Sequence, residues 1–361
     1  KVLEWLQCID CSEKHALTRR KRQGSTCTWL FRDECFTRWY ESRGGGLLWM
    51  YGKPGAGKTV ISSAVIDGLE KRNCTLGYFY CDYQTAGDVQ VTDILRSLVA
   101  QFFRQSDKNW LPLFPDVQER QSRGFPLPSD HAILLDWLLR SSGLHERPIV
   151  VLDALDECEG ACGRELLTII SRMNTGHLSF FLTSRDEPQV RKAYEEMYKD
   201  AFFFSATISL EEKWRTRRDD LHALVVEELG CRRTLRCLPD RVRTKILERL
   251  VEKSDGMFRW AQCQLDRLEK CIGTGEINHV LNTLPEDLNE TYYRILSAIN
   301  EKPFWKRVVL RVLYWLVVSL RPLHIQAVME AVKIEIGKPT IDDEAGVIDE
   351  DCLLKVCSSL V

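Results

Sequence analysis

Short apolar runs alternate with amphipathic stretches through the first 210 residues of the chain. Buried strands are continuous apolar runs, whereas surface helices repeat apolar side chains every three to four residues. On this basis we predict strands at residues 47–51, 76–80, 149–152, 178–182 and 201–208. Helical spacing is present at residues 60–69, 88–104, 131–139, 164–173 and 188–197. The alternation of the two patterns predicts an α/β fold, with a parallel sheet covered by helices.

After about residue 210 the strand-like runs stop and amphipathic stretches follow one another. Helices are predicted there at residues 221–229, 241–252, 257–271 and 288–299. Residues 305–320 and 325–332 have the same spacing and are expected to begin a further small helical unit. The second part of the chain is therefore predicted to be helical.

The composition is that of an ordinary globular protein and excludes several other classes. Hydrophobic residues make up 44% of the 361 residues and charged residues 28%, so collagen-like, disordered and coiled-coil structures are all disfavoured. A length of this size predicts two or three compact units. The formal net charge of -2 provides no overall field that would attract nucleic acid or an anionic membrane. We therefore expect neither partner from charge alone.

Targeting and redox signals point to the cytoplasm. The longest apolar stretch, residues 308–320, is interrupted by Arg311 and is shorter than the roughly 20 residues that cross a bilayer. The chain begins at Lys1 without a secretory signal, and we expect it to be an excerpt of a longer protein. Its 14 cysteines lie in a large chain with enough apolar residues for a core, which favours reduced thiols over a disulfide scaffold.

A glycine-rich loop follows the first predicted strand and precedes a predicted helix. Its sequence is Gly52-Lys53-Pro54-Gly55-Ala56-Gly57-Lys58-Thr59, which has the spacing of a P-loop. Glycines allow successive backbone N–H groups to surround phosphate oxygens, and the helix directs its positive N-terminal end at the anion. An inert glycine turn is the alternative, but the order of strand, loop and helix favours a phosphate site.

Two side chains of this loop are expected to act directly on a bound nucleotide. Lys58 supplies a cation to the β- and γ-phosphates, and Thr59 offers its hydroxyl to Mg²⁺. The residues that we expect to contact the nucleotide are Gly52, Pro54, Gly55, Ala56, Gly57, Lys58, Thr59 and Val60.

A second element of the phosphate site follows the third predicted strand. The apolar run 149–152 ends at Asp153, in the position of a Walker B carboxylate that holds Mg²⁺ through water. Asp156 and Glu157 lie three and four residues after Asp153, and either one is a candidate to orient an attacking water. Many P-loop ATPases have a catalytic glutamate directly after the Walker B aspartate, where this chain has Ala154, so we expect slow hydrolysis. The alternative role of Asp156 and Glu157 is to cap the next helix.

The fourth predicted strand ends in the polar residues Thr183, Ser184 and Arg185. In this topology the strand beside Walker B delivers its C-terminal end to the γ-phosphate. We therefore predict that Arg185 senses that charge. A surface arginine that caps the strand is the alternative.

With these residues in place, the chain resembles a NACHT-type NTPase of the STAND class (signal-transducing ATPases with numerous domains). More narrowly, it is similar to fungal NACHT proteins that carry ankyrin or WD40 repeats. The segment 24–30 occupies the place of a family segment near the adenine. The motifs that carry the resemblance are the P-loop at 52–59, DAxDE at 153–157, Thr-Ser-Arg at 183–185, Gly-Met-Phe-Arg-Trp-Ala at 256–261 and the residues 284–292.

The resemblance implies a domain order, a set of ligands and partners. A lead-in segment (1–43) precedes a nucleotide-binding domain (44–209), a helical domain (210–300) and the start of a winged helix (301–361). ATP or ADP with Mg²⁺ is the implied ligand, with self-association in the ATP state. The effector and repeat domains of the full-length chain are the other implied partners. In many relatives a winged-helix histidine contacts ADP, whereas His324 lies too early in this chain for that role.

Two function hypotheses from different classes follow. In the first, the chain is a switch in which ADP holds the domains closed, Mg-ATP opens them for oligomerisation, and slow hydrolysis resets the state. In the second, it is a scaffold or protein-interaction module that binds nucleotide only for stability and does not hydrolyse it. A metabolic P-loop kinase is disfavoured because the helical half has no evident motif for an acceptor substrate.

Overall fold

The structure, a computed structural model, contains two compact units, Lys1–Asp220 and Leu221–Val361. It describes every residue except 23, 25, 43, 44, 82–88, 107, 108, 159–161, 172–176, 199–203, 320–322, 335, 336, 339, 340, 342–348, 358, 359 and 361. Small parts of the predicted elements, such as residues 88, 173 and 201–203, lie outside the described residues.

Among the residues that the structure describes, five strands form the sheet of the first unit, and all of their pairings are parallel. They are β1 (Gly46–Tyr51), β2 (Thr75–Tyr80), β3 (Pro148–Asp153), β4 (Ser179–Ser184) and β5 (Phe204–Ser209). Their order across the sheet is β2-β3-β4-β1-β5. β3 and β4 are buried along their whole length, which explains the continuous apolar runs 149–152 and 180–182 within them. The predicted parallel sheet is confirmed.

The carboxyl ends of three neighbouring strands meet at one edge of this sheet. β4 lies between β1 and β3, and its last residue, Ser184, is opposite Tyr51 at the end of β1. Ligands of open parallel sheets bind beyond the carboxyl ends of the strands. The glycine-rich loop after β1, Asp153 at the end of β3 and Arg185 after β4 therefore share the edge where a ligand is expected.

Helices cover the sheet in the first unit. They are α1 (Val2–Trp5), α2 (Ser12–Arg20), α3 (Glu34–Glu41), α4 (Lys58–Glu70), α5 (Val91–Gln105), α6 (Pro115–Ser122), α7 (His131–Ser142), α8 (Cys162–Ser171) and α9 (Pro188–Tyr198). α10 (Trp214–Cys231) then continues the chain from the first unit into the second. The apolar spacing in the sequence predicted α4, α5, α7, α8 and α9, whereas α6 is short and mostly polar and was not predicted.

The first 42 residues pack into the same hydrophobic core as the sheet. Leu6, Leu30, Phe36 and Trp39 are almost completely buried there. The Trp39 ring lies 5.9 Å from the ring of Phe181 in β4, measured between centroids. α1, α2 and α3 were not predicted, because helices of four to nine residues are too short for their apolar spacing to repeat.

A polar cluster also ties the lead-in segment to α4. The side chain of His15 in α2 lies 2.7 Å from the Tyr80 hydroxyl and 3.2 Å from a carboxylate oxygen of Asp67. Arg22 makes an ion pair with the same carboxylate. Asp67 belongs to α4, the helix that begins in the glycine-rich loop. Charge as well as apolar packing therefore fixes the lead-in segment to the helix of the phosphate site.

The second unit is helical, as its sequence predicts, and its described residues contain no strand. After α10 come α11 (Arg233–Arg236), α12 (Asp240–Lys253), α13 (Phe258–Glu269), α14 (Thr274–Asn282), α15 (Leu288–Asn300), α16 (Pro303–Val318), α17 (Ile325–Ala331) and α18 (Glu350–Cys357). Trp260 is completely buried in this unit and donates from Nε1 to the carbonyl of Pro285 at 3.2 Å. The Gly-Met-Phe-Arg-Trp-Ala motif thus contributes a core side chain.

The C-terminal region carries three of these helices, α16, α17 and α18. His324 precedes α17 and accepts a hydrogen bond from the backbone N–H of Gln326 at 3.4 Å, which caps the helix. The winged helix that the resemblance implies for residues 301–361 stays a prediction. None of the helices that the structure describes is long and apolar enough to cross a membrane.

Candidate functional site

The backbone of the glycine-rich loop needs glycine at three positions for two different reasons. Gly55 and Gly57 have φ angles of 74° and 89°, in the left-handed region that favours glycine. Gly57 is also the N-cap of α4. At Gly52 the reason is space, because a Cβ atom there would lie 2.9 Å from the Cβ of Leu210. The loop geometry therefore leaves backbone N–H groups free of side-chain obstruction at the start of a helix.

Residues beyond β5 hold the first half of this loop. The carboxylate of Glu211 accepts a hydrogen bond from the backbone N–H of Lys53 at 2.6 Å. The N–H of Gly52 donates to the carbonyl of Ser184 at 3.3 Å, which continues the pairing of β1 with β4. These contacts set where the loop leaves the sheet. Glu211 was not predicted, because nothing in its local sequence distinguishes it from other surface carboxylates.

A buried arginine holds the second half of the loop. Arg217 in α10 is only 2% exposed, and its guanidinium donates to the carbonyl of Ala56 and, at 2.9 Å, to the carbonyl of Leu210. Burial lowers the pKa of Arg217 to about 10. The contact is a tertiary one between residues far apart in the chain, so no sequence motif indicated Arg217. Its charge lies directly behind the loop that is expected to receive phosphates.

Lys58 is placed at the centre of the site. Its ammonium donates to the carbonyl of Gly52 at 2.8 Å and to that of Lys53 at 3.2 Å. Burial lowers the pKa of Lys58, and the nearby charges of Asp156 and Asp153 act against that shift. A cation in a partly desolvated site at the N-terminal end of a helix suits a ligand of high negative charge.

Asp153 is a buried carboxylate surrounded by hydroxyl donors. It is 1% exposed, and its Oδ1 accepts from Ser62 in α4 and from Thr183 in β4, both at 2.6 Å. The hydroxyl of Thr59 also hydrogen-bonds to it. Burial raises the pKa of Asp153 against the effect of these donors and of Lys58. The structure thus joins Thr59 and Asp153, the two predicted metal ligands.

These two residues fit a magnesium ion. Mg²⁺ prefers hard oxygen ligands and retains several waters, so it is bound by one or two protein oxygens together with substrate phosphates. The hydroxyl of Thr59 and the carboxylate of Asp153 are in direct contact and provide such oxygens. Their donor set therefore suits the predicted ion.

The turn after Asp153 has an unusual backbone. Ala154 adopts a left-handed conformation with φ of 57°, and its N–H donates to the Thr183 hydroxyl at 2.9 Å. Left-handed backbone is disfavoured for large and β-branched side chains, which accounts for a small residue at this position of the DAxDE motif. Leu155–Glu157 then forms one turn of 3₁₀ helix.

Asp156 is engaged by Arg185 through both carboxylate oxygens. The backbone N–H of Arg185 donates to Oδ1 at 2.8 Å, and its side-chain Nε lies 3.0 Å from Oδ2. The Asp156 side chain is 1% exposed, whereas that of Arg185 is 39% exposed. The guanidinium is therefore held at the carboxyl edge of the sheet but keeps access to solvent. β4 lies beside β3, the adjacency on which the sensor prediction depends.

The predicted site residues thus occupy one edge of the sheet. Lys58, Thr59, Asp153, Asp156 and Arg185 are linked by the contacts above, and the charge of Glu157 also acts on Lys58. Of the remaining predicted contacts, Pro54 is exposed in the loop and Val60 lies in the first turn of α4.

The segment 24–30 lies against the start of α10. The backbone N–H of Cys27 donates to the carboxylate of Asp220 at 2.9 Å, and Trp29 and Leu30 are buried. Its expected position near an adenine stays a prediction. Ser25 of this segment lies outside the described residues.

Comparisons with known proteins agree with these motifs. The family model described as Nephrocystin 3, N-terminal, matches residues 25–185, a range that includes the P-loop, the DAxDE motif and Arg185. Vegetative incompatibility protein HET-E-1 of Podospora anserina is 23% identical over 279 residues, 75% of this chain and 20% of that protein. Azaphilone pigments biosynthesis cluster protein L of Monascus ruber is 30% identical over 105 residues, 29% of this chain and 22% of that protein.

The chain spans about a fifth of the length of these curated relatives. Among solved structures, the Aeropyrum pernix ORC1 protein in complex with DNA is 17% identical, with a TM-score of 0.32, and the match covers 89% of this chain and 76% of that one. With the motifs and the sheet order, the sequence matches support a NACHT-type P-loop NTPase.

Replacement of Arg217 by methionine is expected to destabilise the first unit by about 2–5 kcal/mol, because two buried carbonyls lose their donor. Chemical denaturation of the variant measures this loss. Arg218→Met is the matched control, since Arg218 is exposed on the same helix, and we expect a change within about 0.5 kcal/mol there. Equal stability of the two variants would show that the contact with Ala56 contributes nothing.

Proposed function

We propose that this chain, a P-loop NTPase of the NACHT type, is the nucleotide-operated switch of a larger signalling protein. Mg-ATP would favour an open, self-associating state, and ADP would favour a closed state. Slow hydrolysis of ATP would return the open state to the closed one. One observation carries the proposal. Lys58, Thr59, Asp153 and Arg185 come from three separate segments and meet at the carboxyl edge of one parallel sheet.

The binding step uses the loop and the start of α4. Backbone N–H groups between Gly55 and Lys58 would receive the phosphate oxygens, and the ammonium of Lys58 would move from the loop carbonyls to the β- and γ-phosphates. Thr59 and Asp153 would hold Mg²⁺, which neutralises phosphate charge when it is bound.

The hydrolytic step is assigned to Glu157. A general base accepts a proton from the attacking water, which requires access to the water. The Asp156 side chain is 1% exposed and is paired with Arg185, so that carboxylate is better suited to position the arginine. Ala154, with no carboxylate of its own, occupies the place directly after Asp153. The position of Glu157 on a turn, three residues after Ala154, is consistent with slow turnover.

Arg185 is assigned as the group that distinguishes ATP from ADP. Its guanidinium is held through Nε by Asp156 and remains 39% exposed, so its outer nitrogens are available to a γ-phosphate. A group that contacts only one of two ligands shifts a two-state equilibrium, whereas a group that contacts both equally does not. The pairing with Asp156 positions Arg185 before any nucleotide binds.

The wider signalling role rests on similarity. The relative from Podospora anserina is named as a vegetative incompatibility protein, and we extend a self or non-self signalling role to this chain on that basis. Effector and repeat domains in the full-length protein, a cytoplasmic location and the domain limits 44–209, 210–300 and 301–361 are parts of the same proposal. A nucleotide-stabilised scaffold is the second candidate, favoured by Ala154 and by the engagement of Asp156.

Lys58→Ala is expected to weaken ATP and ADP binding about 10- to 100-fold, because it removes the main cation that faces the phosphates. Titration with a fluorescent nucleotide measures the affinity, and light scattering with ADP or with a non-hydrolysable ATP analogue measures assembly. Lys71→Ala, an exposed lysine at the end of α4, is the control. Unchanged affinity would exclude the P-loop assignment.

The size distribution of the unaltered chain separates the switch from the scaffold. The same size distribution with ADP and with the ATP analogue would favour the nucleotide-stabilised scaffold.

Glu157→Gln is expected to leave nucleotide affinity unchanged and to slow hydrolysis by about 10²- to 10⁴-fold, the usual contribution of a general base. Asp156→Asn is the matched variant one residue away, and we expect it to slow turnover less than Glu157→Gln does, because it alters the position of Arg185 and not the base. Phosphate release at saturating Mg-ATP gives both rates. Loss of turnover in Asp156→Asn with normal turnover in Glu157→Gln would reverse the assignment of the base.

Arg185→Ala is expected to weaken ATP binding by about 1.5–3 kcal/mol more than ADP binding, the size of one charged hydrogen bond. Separate titrations with ATP and ADP in the presence of Mg²⁺ give the difference. Arg123→Ala serves as the control, since Arg123 is an exposed arginine paired with Glu119 in α6. An equal loss of affinity for both nucleotides would mean that Arg185 does not sense the γ-phosphate.

A further inference from the structure

Two cysteine thiols meet beside the candidate site and take no part in the steps described above. Cys81 directly follows β2, and Cys158 directly follows the 3₁₀ turn Leu155–Glu157. Their sulfur atoms lie only 2.7 Å apart. The sulfur atoms of a disulfide are about 2.05 Å apart, so closing the bond needs a displacement of less than 1 Å.

The backbone on the Cys81 side is firmly held. The N–H of Cys81 donates to the carbonyl of Asp153 at 3.0 Å, which extends the pairing of β2 with β3. Cys158 is attached to the turn that carries Asp156 and Glu157, and its N–H donates to the carbonyl of Leu155 at 3.4 Å. A bond between the two sulfur atoms would therefore join a rigid strand end to the turn.

We propose that Cys81 and Cys158 form a reversible disulfide that fixes the turn carrying Asp156 and Glu157. Neither cysteine is in a disulfide, and the two thiols differ in access. Cys81 is buried at 5% exposure, whereas Cys158 is half-buried. Reaction with an oxidant requires exposure, so Cys158 is the thiol that reacts first and Cys81 is the resolving partner.

The oxidant is a peroxide, and the step balances with one molecule of it. The thiolate of Cys158 attacks one peroxide oxygen, the O–O bond breaks, and hydroxide leaves, which gives a sulfenic acid. The Cys81 sulfur, on losing its proton, then attacks the sulfenic sulfur and expels the second oxygen as hydroxide. The two protons lost by the thiols convert both hydroxides to water. The two thiols are oxidised to a disulfide and the peroxide is reduced to two waters, while a dithiol reductant reverses the bond by exchange.

The functional consequence rests on the proposed hydrolytic function. Glu157 is next to Cys158 in the chain, and Asp156 positions Arg185. A base and its partners must adjust to a bound nucleotide and water, and a misplacement on the scale of 1 Å slows chemistry strongly. Tethering the turn to β2 is therefore expected to slow turnover while the phosphate loop, on another part of the edge, keeps its affinity for nucleotide.

The bond itself is tested without any nucleotide. The chain is reduced with dithiothreitol, treated with hydrogen peroxide and digested, and its peptides are analysed by mass spectrometry. We expect a linked pair containing Cys81 and Cys158, two hydrogen atoms lighter than the separate peptides, which dithiothreitol separates. Cys81→Ser and Cys158→Ser should each abolish it, whereas Cys74→Ser, another buried cysteine of the same unit, should leave it. A link at other cysteines, or over-oxidation without a link, would overturn the proposal.

The effect on the turn is tested by hydrogen exchange and turnover of the same samples. The peptide that contains residues 154–158 should exchange more slowly in the oxidised chain, and only if Cys81 and Cys158 are both present. Turnover should fall on the order of 10-fold on oxidation and recover with dithiothreitol. Absence of turnover in the reduced chain would count against the proposed hydrolysis alone. Equal hydrogen exchange in both states would show that the bond does not fix the turn.

Discussion

The carboxylate of Asp153 is the group on which the arrangement of the site depends. An ionised carboxylate is costly to bury unless donors surround it. Here the donors are Ser62 in α4, Thr183 in β4 and the hydroxyl of Thr59. They come from a helix and a strand that are far apart in sequence, so satisfying one charge fixes the loop, the helix and two strands relative to one another.

A buried positive charge, that of Arg217, lies behind the glycine-rich loop. Arg217 is held by the carbonyls of Ala56 and Leu210 and carries its charge in a place where water cannot screen it well. The loop is thus shaped by groups that do not contact its expected ligand. Such preorganisation reduces the ordering that a ligand would otherwise have to impose when it binds. Glu211, through the N–H of Lys53, does the same for the opposite end of the loop.

The features that were predictable from sequence are those with a local cause. β1 and β3 are buried on both faces and so are apolar runs, and Gly55 and Gly57 are required by the backbone angles of the loop itself. The contacts of Arg217 with Ala56 and of Asp156 with Arg185 join separate segments, and no spacing in the chain encodes them. The short helices at the N-terminus were missed for a third reason, since their burial depends on tertiary packing and not on repeated turns.

The cluster around Asp67 bears on where a cooperative folding unit begins and ends. The matched family range starts at residue 25 and ends at residue 185. A fragment cut to that range would lose His15 and Arg22, which contact the buried carboxylate of Asp67, and would also lose β5 and Arg217. The matched family range is therefore smaller than the compact unit Lys1–Asp220, and we expect stable expression of that unit to need the whole range.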